Sequence, residues 1–78
     1  MNTRTSREQV QTAFDYMKNS AVLAGVDSSG WTIDKQPGGY RVAINGGGSY
    51  LFGGPRLPAY WFVIMCETAG DTFHLTTK

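Results

Sequence analysis

Two tight-turn signals divide the middle of this 78-residue chain into short pieces that must pair back on one another. In Gln36-Pro37-Gly38-Gly39, proline then glycine suits positions i+1 and i+2 of a type II turn, because proline pre-sets φ and glycine tolerates a positive one. In Asn45-Gly46, both residues accept the positive φ that a type I′ hairpin turn demands. The flanking residues alternate with period two. Trp31 and Ile33 alternate with Thr32 and Asp34, and Tyr40, Val42 and Ile44 alternate with Arg41, Ala43 and Asn45. Ser49 to Phe52 supplies a third strand, closed by Gly53-Gly54-Pro55. The pattern predicts an antiparallel meander of three short strands.

The segments on either side read as helices. Val10, Ala13, Phe14, Met17, Ala21 and Ala24 recur at helical spacing and share one face. Ser6 with Gln9, or Thr5 with Glu8, forms a capping box, and Gly25 followed by Val26 suits a Schellman stop. The helix is expected over about 6–24, with Arg7, Gln11, Asp15, Lys18 and Asn19 outward. Near the other end, Tyr60–Cys66 is an unbroken run of seven apolar residues, which periodicity cannot assign. Pro55 or Pro58 fits a first helical turn and Gly70 a C-terminal stop, so a helix is expected over about 56–69, against a buried strand as the alternative. Its sheet-facing residues would be Leu57, Trp61, Ile64, Met65 and Thr68, leaving Tyr60, Phe62 and Val63 partly outside. Thr72–Leu75 would add a short final strand or a packed tail.

The expected fold class is therefore α+β, with N-terminal helix, three-stranded antiparallel meander and second helix, as one compact domain over 1–78. A chain this short buries only about 60% of its extended surface, so the core must be well packed or completed by a partner. One cysteine excludes an internal disulfide and a cysteine-based zinc site. No apolar run approaches the roughly 18 residues of a membrane span, and the N-terminus has no signal-type apolar region. A chain beginning at its own Met1 reads as complete, with no membrane partner and a cytoplasmic location.

The element order α-β-β-β-α resembles that of the double-stranded-RNA-binding domain. That family carries a lysine-rich start to its second helix, which inserts among phosphates. The matching stretch here, Gly54-Pro55-Arg56-Leu57-Pro58-Ala59, holds one cation, so the resemblance implies the element order and not the activity. Charge agrees, since residues 1–35 sum to zero and residues 36–78 to +1, without the basic surplus of a phosphate binder.

No catalytic set stands out. His74 and Cys66 are two ligands at most, and a structural zinc site needs four. Cys66 lies in the most apolar stretch, as a buried thiol does, and Glu67 and Asp71 read as solvated end charges. The glycines of Asn45–Tyr50 precede a strand, whereas phosphate loops precede a helix. No enzyme activity, metal or cofactor is expected.

Seven of the ten aromatic residues follow residue 39, where charges are sparse, and exposed apolar surface marks interaction sites. The expected function is a small non-enzymatic protein-binding module, with Tyr40, Arg41, Tyr50, Arg56, Tyr60 and Phe62 as contacts, since Tyr, Trp and Arg dominate interface energetics. In size and lack of catalytic motifs the chain resembles the small phage and mobile-element inhibitors of host defence, anti-CRISPR proteins among them. That resemblance implies a host nucleoprotein complex as the partner. Two other classes fit the same features. One is a nucleic-acid-binding module using the sheet or the first helix, where on the sheet Lys35, Arg41 and Arg56 would share an edge with Tyr40 and Tyr50. The other is a homodimeric subunit joined through residues 59–66.

Overall fold

A computed structural model describes residues 5–45, 48–54 and 56–76. Its first element is α1 (Arg7–Leu23). The capping box is the Ser6–Gln9 one: Ser6 Oγ accepts from the Gln9 N–H at 3.1 Å, and Gln9 Oε1 accepts from the Ser6 N–H at 2.7 Å. At the other end Gly25 takes φ +88°. The Val26 N–H donates to the Ala21 carbonyl at 2.8 Å and the Gly25 N–H to the Val22 carbonyl at 3.0 Å, completing the Schellman pair. Buried Ser28 then ties the chain back, its Oγ donating to the Lys18 carbonyl at 3.0 Å.

The three strands are β1 (Trp31–Gln36), β2 (Gly39–Ile44) and β3 (Ser49–Gly53), antiparallel and in the order β1-β2-β3. Gln36 pairs with Gly39, so Pro37-Gly38 is the whole turn, and Gly38 adopts the φ of +82° that type II requires. Asn45 takes a positive φ of +52°, but Ile44 pairs with Ser49, so the β2–β3 connection spans residues 45–48 and is longer than the expected two-residue type I′ turn, with Gly46 and Gly47 outside the described residues. The β2–β3 ladder carries an irregularity: Val42 opposes Phe52 but Ala43 opposes Tyr50, leaving Leu51 unmatched. This one-residue bulge re-aims Tyr50 away from the side on which Phe52 packs.

The final element is a helix, α2 (Ala59–Thr76), with the Pro58 carbonyl accepting from the Phe62 N–H at 2.9 Å. Four expectations for this region are corrected. The helix begins at Ala59 rather than 56, and Pro55 lies outside the described residues. It runs through Gly70, and Thr72–Leu75 forms its last turn instead of a strand. Gly70 is there for contact: a Cβ would come within 2.5 Å of Tyr16 Cε2 and 3.3 Å of Met17 Cα. The buried face is also different, because Phe62, Cys66 and Gly70 turn inward while Trp61 and Met65 are exposed. The cause is α1. The second helix packs against the first as well as the sheet, and Cys66, Ala69 and Gly70 are small enough to let two helix backbones approach.

Both helices cover the same face of the sheet. Val10, Ala13, Phe14, Met17 and Ala21 of α1 meet Trp31 and Val42 of the sheet and Phe62 and Cys66 of α2 in one core. Phe62 is central, with ring centroids at 5.5 Å from Tyr40 and 5.8 Å from Phe52. The helices run in the same direction. Tyr40 lies beside both Val10 and Phe62 near the helix starts, and Trp31 packs on Phe73 towards the helix ends.

Candidate functional site

The β3–α2 connection folds back on the β2 end of the sheet. The Gly54 N–H donates to the Tyr40 carbonyl at 3.0 Å, and the Tyr40 N–H donates to the Leu57 carbonyl at 2.9 Å. These bonds bring Arg56 and the first turn of α2 next to Tyr40, although they are distant in sequence. Tyr60 and Trp61 stand on that first turn, 51% and 54% exposed, with their rings edge-on at 5.4 Å. On the other side of Tyr40, the Lys35 ammonium lies 5.0 Å above its ring. Lys35, Arg7, Val10, Ile33 and Tyr40 line a groove between α1 and the β1–β2 hairpin. One end of the molecule thus gathers Arg7, Lys35, Tyr40, Arg56, Tyr60 and Trp61.

The sequence-derived contact residues divide three ways. Tyr40, Arg56 and Tyr60 belong to this end. Arg41 and Tyr50 sit on the opposite, outer face of the sheet, where the guanidinium stacks 3.6 Å from the Tyr50 ring centroid. Arg41 is also bound by Asp34, with Nη2 and Nε each 2.5 Å from Oδ2, and Gln36 donates to the same oxygen. The third group is Phe62 alone, which is 0% exposed and offers a partner no surface. Its expected exposure is corrected by the helix rotation described above. Trp61, assigned to the core from sequence, takes its place outside.

The expected sharing of one sheet edge by Lys35, Arg41, Arg56, Tyr40 and Tyr50 is corrected too. Lys35 pairs with Tyr40, and both turn to the helix side, while Arg41 pairs with Asp34 and turns away. Alternation along a strand puts neighbours such as Tyr40 and Arg41 on opposite faces. Among the described residues the outer face therefore presents one guanidinium, already paired and stacked.

The other chemistry-bearing residues are separated. Cys66 and His74 lie on one helix eight residues apart, a rise of about 12 Å, too far for a nucleophile–base hydrogen bond. Burial pushes the Cys66 thiol up to about 12, with Glu67 adding a smaller effect. Cys66 is accordingly expected to resist a disulfide reagent at neutral pH and to react fully once denaturant is added. Prompt labelling of the native protein would contradict its burial. Among the described residues no group of three His, Cys, Asp or Glu side chains is placed to hold a metal, and no helix is long and apolar enough to cross a membrane.

A second groove, about 680 Å³, runs between the helices, with Glu8, Glu67 and Asp71 among its lining residues. The Tyr16 hydroxyl donates to Asp71 across it, and this bond raises the Tyr16 pKa above its ordinary value of 10.0, with slight desolvation and the Asp71 charge adding to it. The raised value means that folding favours the protonated phenol. Its stabilisation is full below 10.0 and is lost as pH rises through the folded-state value. Thermal melts of Tyr16→Phe are expected to show a shallower alkaline loss of stability than wild type. Identical slopes would remove this linkage.

Comparison with protein-family models, with curated proteins and with solved structures finds no match for this chain.

Proposed function

We propose that this chain is a non-enzymatic protein-binding module that meets its partner with the Tyr60–Trp61 end of α2, flanked by Arg56 and Tyr40. The observation that carries the reading is the exposure of Trp61 and Tyr60, 54% and 51%, on a helix whose core contacts come from other residues. Large aromatics half in water gain by being covered. For two such rings the gain is on the order of 2–5 kcal/mol before the costs of association. Arg56, exposed on the loop just before them, adds the third residue type that interface hot spots favour. The paired state of Arg41 on the outer sheet face favours protein over nucleic acid as the partner, because a guanidinium held by Asp34 has little left for phosphate. The narrower form of the reading, an inhibitor that occupies a host defence nucleoprotein complex, rests on size and composition and is decided by the identity of what binds.

The test compares tagged wild type with a Tyr60→Ser/Trp61→Ala variant in nuclease-treated lysate of the source cells. Wild type should retain a discrete protein that the variant loses, while the variant melts within about 4 °C of wild type, as surface changes do. Equal capture by both, or capture that disappears with nuclease, would overturn the reading.

A further inference from the structure

We infer that the partner is acidic: a carboxylate-bearing segment of protein seats in the groove between α1 and the β1–β2 hairpin, at the same end of the molecule as Tyr60 and Trp61. The inference rests on the protein-binding reading and names the chemistry of what is bound.

The groove, about 470 Å³, has Val10, Ile33 and Tyr40 as its apolar floor and the exposed side chains of Arg7 and Lys35 at its margins. Glu8 is the one carboxylate among its described lining residues. The other described acids lie elsewhere. Asp34 is held by Arg41 on the far face of the sheet, Glu67 and Asp71 line the interhelical groove, Asp15 is further along α1, and Asp27 follows α1.

Backbone electrostatics act in the same sense. Because α1 and α2 run in the same direction, both N-terminal turns lie at this end, and their positive dipole ends add. A small chain of net charge +1 therefore has a locally positive pole, which steers an anionic surface towards Arg7, Lys35 and Arg56.

The floor decides what kind of anion fits. Val10, Ile33 and the edge of the Tyr40 ring, over which the Lys35 ammonium lies, give the groove an apolar lining beside its cations, so an acidic segment with apolar neighbours satisfies lining and margins together. A nucleic-acid backbone would need a longer row of cations than Arg7 and Lys35 supply and would leave the apolar floor uncovered.

The test uses the full chain, labelled for two-dimensional NMR and titrated with a soluble peptide of alternating Asp and Leu. A Lys–Leu peptide and a thymidine oligonucleotide serve as parallel titrants. The acidic peptide should shift the amides of Arg7, Val10, Ile33, Lys35 and Tyr40. Its affinity should fall about tenfold between about 0.05 and about 0.3 M salt, as screening shortens the reach of the charges. The Lys–Leu peptide should shift none of these amides. An Arg7→Glu/Lys35→Glu variant should lose the response and keep the wild-type melt, since both side chains are exposed. Shifts outside the groove, an undiminished response of the variant, or a stronger response to the oligonucleotide at the same amides would each overturn the inference. If Tyr60→Ser/Trp61→Ala loses the captured protein while Arg7→Glu/Lys35→Glu retains it, protein binding stands and the acidic partner falls. If capture is nuclease-sensitive, the protein-binding reading itself has failed.

Discussion

Phe62→Ala is expected to leave little or no cooperatively folded protein at room temperature. Phe62 is fully buried and joins Tyr40, Phe52 and the α1 residues into one core. Truncating a buried phenylalanine costs about 3–5 kcal/mol, and a core of this size supplies roughly 3–5 kcal/mol in total, so the loss is comparable to the whole stability. Circular dichroism should show a flat, non-sigmoidal melt for the alanine variant. Phe62→Leu, which keeps most of the volume, should melt cooperatively at a lower temperature. A Phe62→Ala protein melting like wild type would mean that this residue is peripheral, and the placement of α2 would need revision. The same result separates core from contact, because a residue that only touches a partner should not affect the melt.

Gly53→Ala is the second large effect. Gly53 has φ +99°, a conformation side chains rarely adopt, and its added Cβ would lie 2.6 Å from Arg41 Cα, with the Tyr40 carbonyl oxygen closer still. Both obstacles are backbone atoms of β2, so no rotamer change relieves them. Strain and overlap together are expected to cost about 2–4 kcal/mol, read as a large drop in melting temperature. Gly54→Ala is the control, since a Cβ there meets nothing within 4 Å, and it should melt close to wild type. The Gly53 change also presses on the strand that carries Tyr40, whose carbonyl receives the Gly54 N–H. Tyr40 should therefore show altered NMR shifts in whatever fraction remains folded. Equal stability of the two glycine variants would refute the close approach of β3 to β2.

Several features were legible from short windows of sequence because the interactions behind them are short in range. The Ser6–Gln9 box, the Gly25 stop and the Pro37-Gly38 turn each depend on residues within five positions, so residue type and spacing suffice to find them. The α1 core face was legible for a related reason. Its polar and apolar residues alternate with the helical period, and Val10, Ala13, Phe14, Met17 and Ala21 are all buried as that period requires. From these pieces α1 and the strands followed, and the prolines and segment length favoured a second helix over a buried strand, giving the α-β-β-β-α order.

The Tyr60–Cys66 run carried no such contrast. Being apolar around its whole circumference, it could not report which side would be covered, and the expectation placed Trp61 inward and Phe62 outward. Only the approach of α1 settles it, because two helices can meet closely where Cys66, Ala69 and Gly70 line the seam and cannot where Trp61 does. The same holds for Gly70, a stop by local rules and a contact in the fold.

The candidate site divides along this line as well. Tyr40, Arg56 and Tyr60 could be named from residue type alone. The Leu51 bulge, which sends Tyr50 to the outer face, and the groove that joins Arg7 to Lys35 could not. Arg7 and Lys35 are 28 positions apart, each looks like an ordinary surface charge in its own window, and only the packing of α1 on the sheet makes them neighbours. Local chemistry thus determined α1 and the three strands, while contacts between distant segments decided how α2 lies and which side of each element faces water.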